Sequence, residues 1–366
     1  MSGQVAFGIM GCAGIASKHF RAMQLAGNIR VAACASRSVD KAKAWAKERG
    51  IPAAYGSYQA LLDDPEVQAV LIPLPTAIRK EWVLKAAAQG KHVLMEKPTA
   101  VSEGDLREMV AACRAAGVQL MDCTMFLHHA RSRQVAALIA DKAAFGEVCA
   151  VQSAFMAPMH LGGGMAGDIR TDPAMEPTGA LGDMAWYNIR LSLLAFDHLL
   201  PTHVTCSAVH IEGGAALCVA GCLFFPPAAG GGGAPAALRG PRAALFQGGY
   251  SSHFTAHASI AGDLAVVTME DFVLEESPDR AEYAITRAAL LDDAMIWKRD
   301  VETVEVRGCQ QEVEMVRTFA GLVLGGAPDW SWARGSLVAQ RVLDACAASM
   351  ARGGGRVDVD QSVVEI

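Results

Sequence analysis

The sequence predicts an α/β protein with a doubly wound parallel sheet, followed by an α+β region with a mostly antiparallel, open-faced sheet. Up to about residue 125, short apolar runs alternate with helical patterns, which is typical of right-handed βαβ units. Between residues 202 and 306, several β-rich runs follow one another. A chain of 366 residues is long enough for two domains, which we expect at 1–125 and 126–366.

Five buried strands are predicted in the N-terminal domain. Each is a nearly continuous apolar run, as expected for a parallel sheet that helices cover on both faces. The runs are QVAFGIM, IRVAACA, VQAVLIPLP, KHVLME and VQLMDCT. The first helix is predicted from Ile15 to Leu25, and later helices end at Gly50 and Gly90, because glycine favours helix C-termini.

The C-terminal domain is predicted to contain helices at 132–141, 311–324 and 335–351, and a weaker helical pattern near 281–290. A further helix is predicted in GALGDMAWYNIRLSLLAF. The predicted strands are EVCAVQSAFMA, HVTCSAVHI, ALCVAGCLFF, HFTAHASIAG and LAVVTMEDFVL. The glycine- and proline-rich segment 226–242 is predicted to be a flexible loop between strands.

The composition excludes several classes of protein. A net charge of −6 without a basic cluster argues against nucleic-acid binding, and no apolar run is long enough to span a bilayer. Ten scattered cysteines without a CxxC pair indicate free thiols in a reducing compartment, and no metal site. We expect a soluble, cytoplasmic protein with no leader peptide.

The segment GIMGCAGIASKHF joins the first strand to the first helix. Dinucleotide-binding folds place a pyrophosphate at this turn, against the helix N-terminus. The spacing approximates G-x-G-x-x-G/A, with Ala13 at the position where the pattern prefers a second glycine. The predicted cofactor-binding residues of the turn are Gly11, Cys12, Ala13, Gly14, Ile15 and Ala16.

The end of the second strand favours NADP over NAD. NAD enzymes usually carry an acidic residue there, which binds the ribose hydroxyls. This chain has Ser36 and Arg37 instead, with Lys41 one helical turn further on, and these side chains suit a 2′-phosphate. The alternative is an ordinary solvated helix start with Ser38 as its N-cap, and NAD remains the alternative cofactor.

The stretch VLMEKPTA ends a buried strand with a carboxylate, an ammonium group and a proline. Together with the glycine turn, LIPLPT, GALGDMAWYNIR and the β-rich second half, this EKP motif resembles the glucose–fructose oxidoreductase / inositol dehydrogenase (Gfo/Idh/MocA) family. Within it, the chain is similar to the branch of dimeric dihydrodiol dehydrogenase and NADP-dependent D-xylose 1-dehydrogenase, and to that branch's plant relatives.

The resemblance implies an N-terminal Rossmann domain whose EKP motif lies beside the nicotinamide. Lys97 would then lie next to a substrate hydroxyl, and Glu96 would orient the cofactor or the lysine. Further cofactor contacts are implied for the LIPLPT segment, through Pro73, Leu74 and Pro75. The family often has a cis bond before the proline, but sequence does not fix the isomer. The alternative is a surface turn with a solvated lysine.

A second group of candidate residues lies in GALGDMAWYNIR. Asp183, Trp186, Tyr187 and Arg190 are spaced so that they share one face of a helix. The spacing alone fits a solvated polar face equally well. The resemblance implies that Tyr187 exchanges the substrate proton, that Lys97 lowers the pKa of Tyr187, and that Asp183 orients the pair. In the alternative assignment, Lys97 is itself the base.

Four further residues are predicted to contact substrate. Arg79 stands where the family usually has a histidine near the nicotinamide. It could hold a carboxylated substrate or a phosphate, or simply face solvent. Arg170 and Arg190 adjoin the second group of candidates. His128, in FLHHAR, lies where the family approaches its site from the second domain, and its pairing with a neighbouring histidine is unconvincing as a metal site.

These observations predict an NADP-dependent oxidoreductase that transfers hydride between nicotinamide and the hydroxyl-bearing carbon of a sugar or vicinal diol, with Lys97 and Tyr187 assisting proton transfer. We expect a homodimer joined through the C-terminal sheet. Two alternatives remain. One is a reductase of an imine or enone, similar to biliverdin reductase, and the other is a catalytically idle NADP(H)-binding regulator.

Overall fold

The structure is a computed structural model that contains two β-sheets covered by helices. It describes residues 3–158, 168–227, 242–277, 279–291, 296–308 and 310–366. Among the helices of these ranges, none combines the length and the hydropathy needed to cross a bilayer. The predicted flexible loop at 226–242 falls mostly on residues 228–241, which lie outside the described residues.

The first sheet has six parallel strands in the order β3-β2-β1-β4-β5-β6. The strands are β1 (Val5–Met10), β2 (Ile29–Ala35), β3 (Ala53–Tyr55), β4 (Ala69–Ile72), β5 (His92–Met95) and β6 (Leu120–Asp122). The strand order reverses between β1 and β4, and ligands of such sheets bind at this switch point, beyond the carboxyl ends of the strands. Five of the strands were predicted, whereas the three-residue β3 was not.

Helices cover both faces of this sheet. They are α1 (Gly14–Ala26), α2 (Val39–Arg49), α3 (Tyr58–Leu62), α4 (Thr76–Ala88) and α5 (Glu103–Ala115). Strand β1 is buried along its whole length, because helices pack on each side of it. The helix termini follow local sequence signals: Ser38 caps α2 and Ser102 caps α5, while Gly27 and Gly50 end α1 and α2 in the left-handed conformation.

The second sheet has nine strands in the order β14-β13-β12-β11-β7-β10-β9-β8-β15. All neighbours are antiparallel except β7 and β10, which confirms the predicted mostly antiparallel sheet. The strands are β7 (Val148–Met156), β8 (His203–Glu212), β9 (Ala215–Phe225), β10 (Arg242–Gly249), β11 (Ala258–Gly262), β12 (Val266–Met269), β13 (Arg280–Leu291), β14 (Ile296–Arg307) and β15 (Val357–Asp358).

The helical pattern predicted near 281–290 is wrong, because this segment is strand β13. It pairs with β14 at twelve successive positions. Ala281, Tyr283 and Ile285 are buried at every second position, as in a strand that covers a core with one face. The alanine-rich composition favours a helix locally, but the pairing partner decides the outcome.

The helices of the second half are α6 (Ala130–Ala140), α7 (Lys142–Phe145), α8 (Gly179–Asp183), α9 (Ala185–Ala195), α10 (Gln311–Gly325) and α11 (Ser331–Ala351). The single helix predicted in GALGDMAWYNIRLSLLAF is two helices, which meet at Met184. Nor is α9 amphipathic, since all its residues are buried except Leu194. It packs between the second sheet and α11.

Helix α10 connects the C-terminal part of the chain to the first sheet. It packs on α1, and its Phe319 ring lies 5.6 Å from the Phe7 ring of β1. Arg317 Nε donates a hydrogen bond to the Ala26 carbonyl at 3.1 Å. The predicted division into 1–125 and 126–366 stays a prediction, since this helix belongs to the second range in sequence and packs against the first.

We predict that Gly248→Ala destabilises the protein. A Cβ atom at Gly248, in β10, would lie 2.7 Å from the backbone nitrogen of Ala185, where α9 begins. Overpacking of this kind typically costs about 1–3 kcal/mol of unfolding free energy. Gly321→Ala in α10 is the control, because its Cβ would meet nothing within 4 Å. Chemical denaturation should show the first variant less stable than wild type and the second at least as stable. An unchanged Gly248→Ala would contradict the close packing of β10 on α9.

Candidate active site

A cleft of about 640 Å³ opens at the carboxyl ends of the strands of the first sheet, facing the second sheet. Its described lining comes from the glycine turn, the segments after β4 and β5, strand β7, and the region around α8. Among the lining residues are Ala13, Gly14, Ile15, Pro73, Leu74, Pro75, Arg79, Glu96, Lys97, Arg170, Asp183, Tyr187 and Tyr250. Most of the predicted site residues therefore lie around one cavity.

The glycine turn leaves the N-terminus of α1 open toward the cleft. Gly11 has φ +115°, a conformation that favours glycine, and a Cβ atom there would lie 3.2 Å from the Leu74 side chain. Ala13 occupies the N-cap position without a side-chain hydrogen bond, and the first turn of α1 has no acidic residue. The free backbone N–H groups and the helix dipole therefore fit a pyrophosphate.

The residues predicted to select the cofactor lie at the end of β2, beyond the cleft lining. Arg37 and Lys41 are exposed, and Ser36 is mostly buried. Ser36 Oγ accepts the backbone N–H of Ser38 at 3.3 Å, and Ser38 in turn caps α2 through the N–H of Lys41. The helix-cap alternative for Ser38 is thus realised, and it leaves both cationic side chains free to meet a phosphate.

The EKP motif follows β5, and its Lys97–Pro98 bond is cis. Glu96 is buried and accepts a hydrogen bond from His19 Nε2 of α1 at 2.5 Å. Burial opposes ionisation of Glu96. The hydrogen bond from His19 and the positive charges of Lys97 and Arg79 nevertheless hold its pKa below the ordinary value. The EKP turn is therefore tied directly to the helix that begins at the glycine turn.

Asp183, at the end of α8, is the polar centre of the cleft. Lys97 Nζ forms an ion pair with its Oδ1 and donates to its backbone carbonyl at 2.7 Å. Arg170 Nε donates to Oδ2 at 2.8 Å, and the Tyr250 hydroxyl donates to the same oxygen. Burial opposes ionisation, but Lys97 and Arg170 outweigh it and hold the pKa of Asp183 well below its usual range.

Tyr187 lies against Lys97 through its ring and not through its hydroxyl. Lys97 Nζ is 4.8 Å from the ring centroid, whereas the hydroxyl contacts Met125 Sδ at 3.4 Å. Burial, followed by the negative charges of Glu96 and Asp183, raises the pKa of Tyr187 well above its ordinary value. The expectation that Lys97 lowers this pKa is therefore wrong for this arrangement.

Arg79 has a different role from the predicted one. It is buried, with Nε and Nη2 donating to the Leu74 carbonyl at 3.2 and 2.7 Å and Nη1 donating to the Pro98 carbonyl. Burial lowers its pKa. Its N–H groups thus hold the segment after β4 to the EKP turn, so the expected hold on a substrate carboxylate or phosphate is corrected to a contact with backbone.

His128 and Arg190 lie outside the cleft lining, so their predicted substrate contacts are also corrected. The His128 ring stacks on Trp332 with centroids 4.5 Å apart, and burial lowers its pKa to about 4. Arg190 is buried, with Nη1 3.9 Å from a carboxylate oxygen of Asp122. Arg190 therefore points into packed interior, whereas Tyr187 on the same helix lines the cleft.

The residues of the site that sequence reasoning missed include His19, Glu176 and Tyr250. Glu176 accepts the backbone N–H and the hydroxyl of Thr76 at 3.1 and 2.6 Å, and so ties its loop to the start of α4. The helical spacing of His19 from the glycine turn was a usable signal, because it places this residue on the buried face of α1. Glu176 and Tyr250 gave no such signal, because each of them bonds to a residue that is distant in the sequence.

His19, Glu96 and Cys123 place three candidate metal ligands within 4.8 Å of one another. The hydrogen bond between His19 and Glu96 already accounts for two of them. Burial raises the pKa of the Cys123 thiol well above its ordinary value, which disfavours the thiolate that binds metals. The absence of a resident metal stays a prediction.

A comparison with protein families matches the part of the chain that contains the glycine turn and the EKP motif. Residues 5–123 match a family model described as "Oxidoreductase family, NAD-binding Rossmann fold", that of the Gfo/Idh/MocA proteins. This match confirms the predicted resemblance to the Gfo/Idh/MocA family for residues 5–123. The parallel first sheet and the mostly antiparallel second sheet confirm the predicted fold class.

Two curated relatives in this family are dehydrogenases. D-xylose 1-dehydrogenase (NADP(+)) 2 of Haloferax volcanii is 40% identical over 188 residues, which are 51% of this chain and 56% of that protein. Trans-1,2-dihydrobenzene-1,2-diol dehydrogenase of Xenopus laevis is 31% identical over 189 residues, which are 50% of this chain and 54% of that protein. The chain thus spans about half the length of the curated relatives it matches.

A solved structure extends the likeness to almost the whole fold. The 3-ketoreductase of Actinomadura kijaniata, in complex with NADP and TDP-benzene, superposes with a TM-score of 0.81 at 27% identity. The alignment covers 95% of this chain and 98% of that one. Both sheets of this chain therefore have counterparts in the fold of an NADP-bound enzyme.

We predict that Asp183→Asn destabilises the protein in a pH-dependent manner. The folded-state pKa of Asp183 is depressed, so its ionisation contributes stability above the ordinary aspartate pKa of 3.8, and this contribution is lost as the pH falls further. Removing one partner from a fully buried ion pair typically costs about 3–5 kcal/mol. The side chain of Asp183 is 24% exposed, so a loss of unfolding free energy near or below the lower end of this range is expected at pH 7. Denaturation curves from pH 7 to pH 3 should show that the difference in unfolding free energy between variant and wild type narrows below about pH 4. A difference that stays constant with pH would contradict the depressed pKa of Asp183.

Proposed function

We propose that this protein is an NADP-dependent oxidoreductase. It transfers hydride between nicotinamide and the hydroxyl-bearing carbon of a sugar or vicinal diol. The observation that carries the proposal is the position of Lys97: its ammonium group lies at the carboxyl end of β5, inside the cleft that begins at the glycine turn. The names of the two dehydrogenase relatives and the solved 3-ketoreductase support the substrate class.

The cofactor is assigned from two parts of the first sheet. The open N-terminus of α1 would hold the pyrophosphate, and Ser36, Arg37 and Lys41 would hold a 2′-phosphate, which favours NADP over NAD. The bound nicotinamide would supply or accept the hydride. One relative is named for its use of NADP(+), and the solved ketoreductase contains NADP.

Lys97 is the proposed proton carrier. In the reducing direction, its ammonium group donates a proton to the carbonyl oxygen while the carbonyl carbon receives hydride, so an alcohol forms without accumulating negative charge. In the oxidising direction, the neutral amine takes the hydroxyl proton. Asp183 holds the side chain in place through Oδ1 and its backbone carbonyl.

Tyr187 is assigned a supporting role instead of the expected proton exchange. Its hydroxyl contacts Met125, and its raised pKa disfavours proton loss. The ring lies against the ammonium group of Lys97 and excludes water from one side of it. The alternative in which Lys97 is itself the base therefore agrees better with the geometry.

The charges around the cleft favour a neutral substrate. Within the described lining, Lys97 and Arg170 both pair with Asp183, and Lys18 pairs with Glu312. Arg79 donates to backbone carbonyls. Each of these cations already has a partner, so a substrate carboxylate would displace an existing ion pair, whereas a polyol could add hydrogen bonds without doing so.

A screen of aldoses and vicinal diols with NADP, followed by cofactor absorbance, tests the proposal. Turnover of at least one polyol, at a higher kcat/KM than sugar acids of the same chain length, is expected. Cofactor binding without turnover of any polyol would favour the idle regulator. Turnover of imines or enones alone would favour the reductase alternative.

We predict that Arg37→Ala weakens NADP binding and leaves NAD binding nearly unchanged. A charge-assisted contact contributes about 1.5–3 kcal/mol, so the dissociation constant for NADP should rise roughly tenfold or more. Fluorescence titration with both cofactors measures the effect. Lys43→Ala, an exposed position on the same helix α2, is the control for overall charge. Equal affinity of the wild-type protein for NADP and NAD would overturn the assignment.

We predict unequal effects of Lys97→Met and Tyr187→Phe once a substrate is known. Loss of a proton-transferring group typically costs about a hundred- to ten-thousand-fold in rate, and this loss is expected for Lys97→Met. Tyr187→Phe keeps the ring against Lys97 and should retain turnover within about tenfold. Steady-state kinetics measure kcat for both variants. The dissociation constant for NADP, which should not change, is the control. The reverse ranking of the two variants would restore Tyr187 as the proton carrier.

The outer face of the second sheet supports the proposed homodimer. On β7 and β10, the outward positions alternate with buried ones and carry mainly small or apolar side chains, among them Ala150, Ala154, Ala243 and the exposed Leu245. Such a flat face can bury itself against the same face of a second copy through a two-fold axis.

We predict that Leu245→Glu dissociates the dimer, because it would bury a charge at the proposed interface. Leu25→Glu is the matched control, since Leu25 is 60% exposed at the end of α1 and away from the sheet. Light scattering at micromolar concentration should give a dimer for the wild type and the control, and a monomer for Leu245→Glu. A monomeric wild type would refute the interface.

A cytoplasmic location is also part of the proposal. The nine cysteines that the structure describes carry no disulfide. Unpaired thiols are typical of proteins in reducing compartments.

A further inference from the structure

We propose that Tyr250 is a positioning residue for Lys97, and that it acts through the carboxylate of Asp183. The inference rests on the proposed function, in which Lys97 carries the proton. It concerns a residue that follows β10, in a part of the chain far from both motifs that identified the site. Its evidence is the hydrogen bond that the Tyr250 hydroxyl donates to Asp183 Oδ2.

The backbone before Tyr250 is shaped for a close approach. A Cβ atom at Gly248 would clash with the start of α9, and one at Gly249 would lie 2.6 Å from the Leu217 carbonyl. The pair of glycines therefore lets β10 pack tightly between β9 and the α8–α9 junction. Tyr250 follows directly, with its backbone N–H bonded to the Leu217 carbonyl at 2.8 Å. Its side chain, only 7% exposed, reaches the cleft.

The carboxylate of Asp183 divides its two oxygens between different partners. Oδ1 pairs with Lys97, while Oδ2 accepts from both Arg170 and Tyr250. Two donors on Oδ2 fix the rotation of the carboxylate. That rotation sets the position of Oδ1 relative to the ammonium group of Lys97. Arg170 alone is a weaker anchor, because its side chain is 42% exposed and shared with Asp168.

Tyr250 remains a neutral donor under ordinary conditions. Burial and the adjacent charge of Asp183 raise its pKa well above the usual value for tyrosine. A neutral hydroxyl adds a hydrogen bond to the ionised carboxylate without competing with Lys97 for its charge. Tyr187, in contrast, directs its hydroxyl to Met125, so among these two tyrosines Tyr250 is the one bonded to the polar centre.

Chemical labelling of Lys97 tests the inference without a substrate. Tyr250→Phe removes only the hydroxyl, and Tyr283→Phe is the matched control, since Tyr283 is also 7% exposed and contacts Gln134 on α6. The rate at which an acylating reagent modifies Lys97, followed by peptide mass spectrometry, should rise about tenfold in Tyr250→Phe. It should stay at the wild-type value in the control. An unchanged rate in Tyr250→Phe, or an equal rise in both variants, would overturn the proposal.

Enzyme kinetics distinguish a role of Tyr250 in positioning Lys97 from a role in overall stability alone. With a polyol that the wild type turns over, kcat of Tyr250→Phe should fall about tenfold while the affinity for NADP stays constant. In a Lys97→Met background, Tyr250→Phe should cause no further loss, because its effect passes through Lys97. The same fractional loss in both backgrounds would overturn the proposal.

The labelling experiment and the kinetic experiment together test the role of Tyr250 separately from the proposed function. If no polyol is turned over by the wild type, the proposed function fails, and the labelling rates still decide whether Tyr250 positions Lys97. If polyols are turned over and the labelling rates do not respond, the positioning role fails alone.

Discussion

The carboxylate of Asp183 joins three segments that are distant in sequence. Lys97 comes from the first sheet, Arg170 from a loop before α8, and Tyr250 from the end of β10. Burying an ion pair costs solvation, which is offset only when the remaining lone pairs find partners. Here the additional donors on Oδ2 meet that condition. The geometry of the cleft depends on this one side chain, because each of its partners also lines the cavity.

A second set of contacts attaches the catalytic turn to the cofactor side of the cleft. His19 on α1 binds Glu96, so the helix that would receive the pyrophosphate also fixes the residue next to Lys97. Arg79 donates to the carbonyls of Leu74 and Pro98 and thereby joins the ends of β4 and β5. These contacts hold the turn from the first sheet, while Asp183 holds it from the end of helix α8. Lys97 is therefore constrained from both sides, as a proton donor must be if it is to meet the substrate oxygen in a fixed position.

Local sequence signals predicted five of the six strands of the first sheet, the glycine turn and the EKP turn, because each depends on residues close together in the chain. Contacts between segments that are distant in the sequence could not be predicted in this way. The partners of Asp183 include Tyr250, 67 residues away, and no spacing rule connects them. Strand β13 was taken for a helix because its alanines favour one locally, whereas pairing with β14 decides the structure. Arg190 was predicted to contact substrate because its spacing puts it on one helix face with Asp183 and Tyr187, whereas the structure buries it beside Asp122.

The central claim is that Asp183 places Lys97 for proton transfer and is not needed to hold the cofactor. The most direct measurement is the single-turnover rate of hydride transfer in Asp183→Asn, with NADP bound in advance and at a temperature where the variant is folded. The account predicts a rate at least about a hundredfold below that of the wild type, with an unchanged dissociation constant for NADP. A wild-type rate in this variant, or a loss fully explained by weaker cofactor binding, would contradict it.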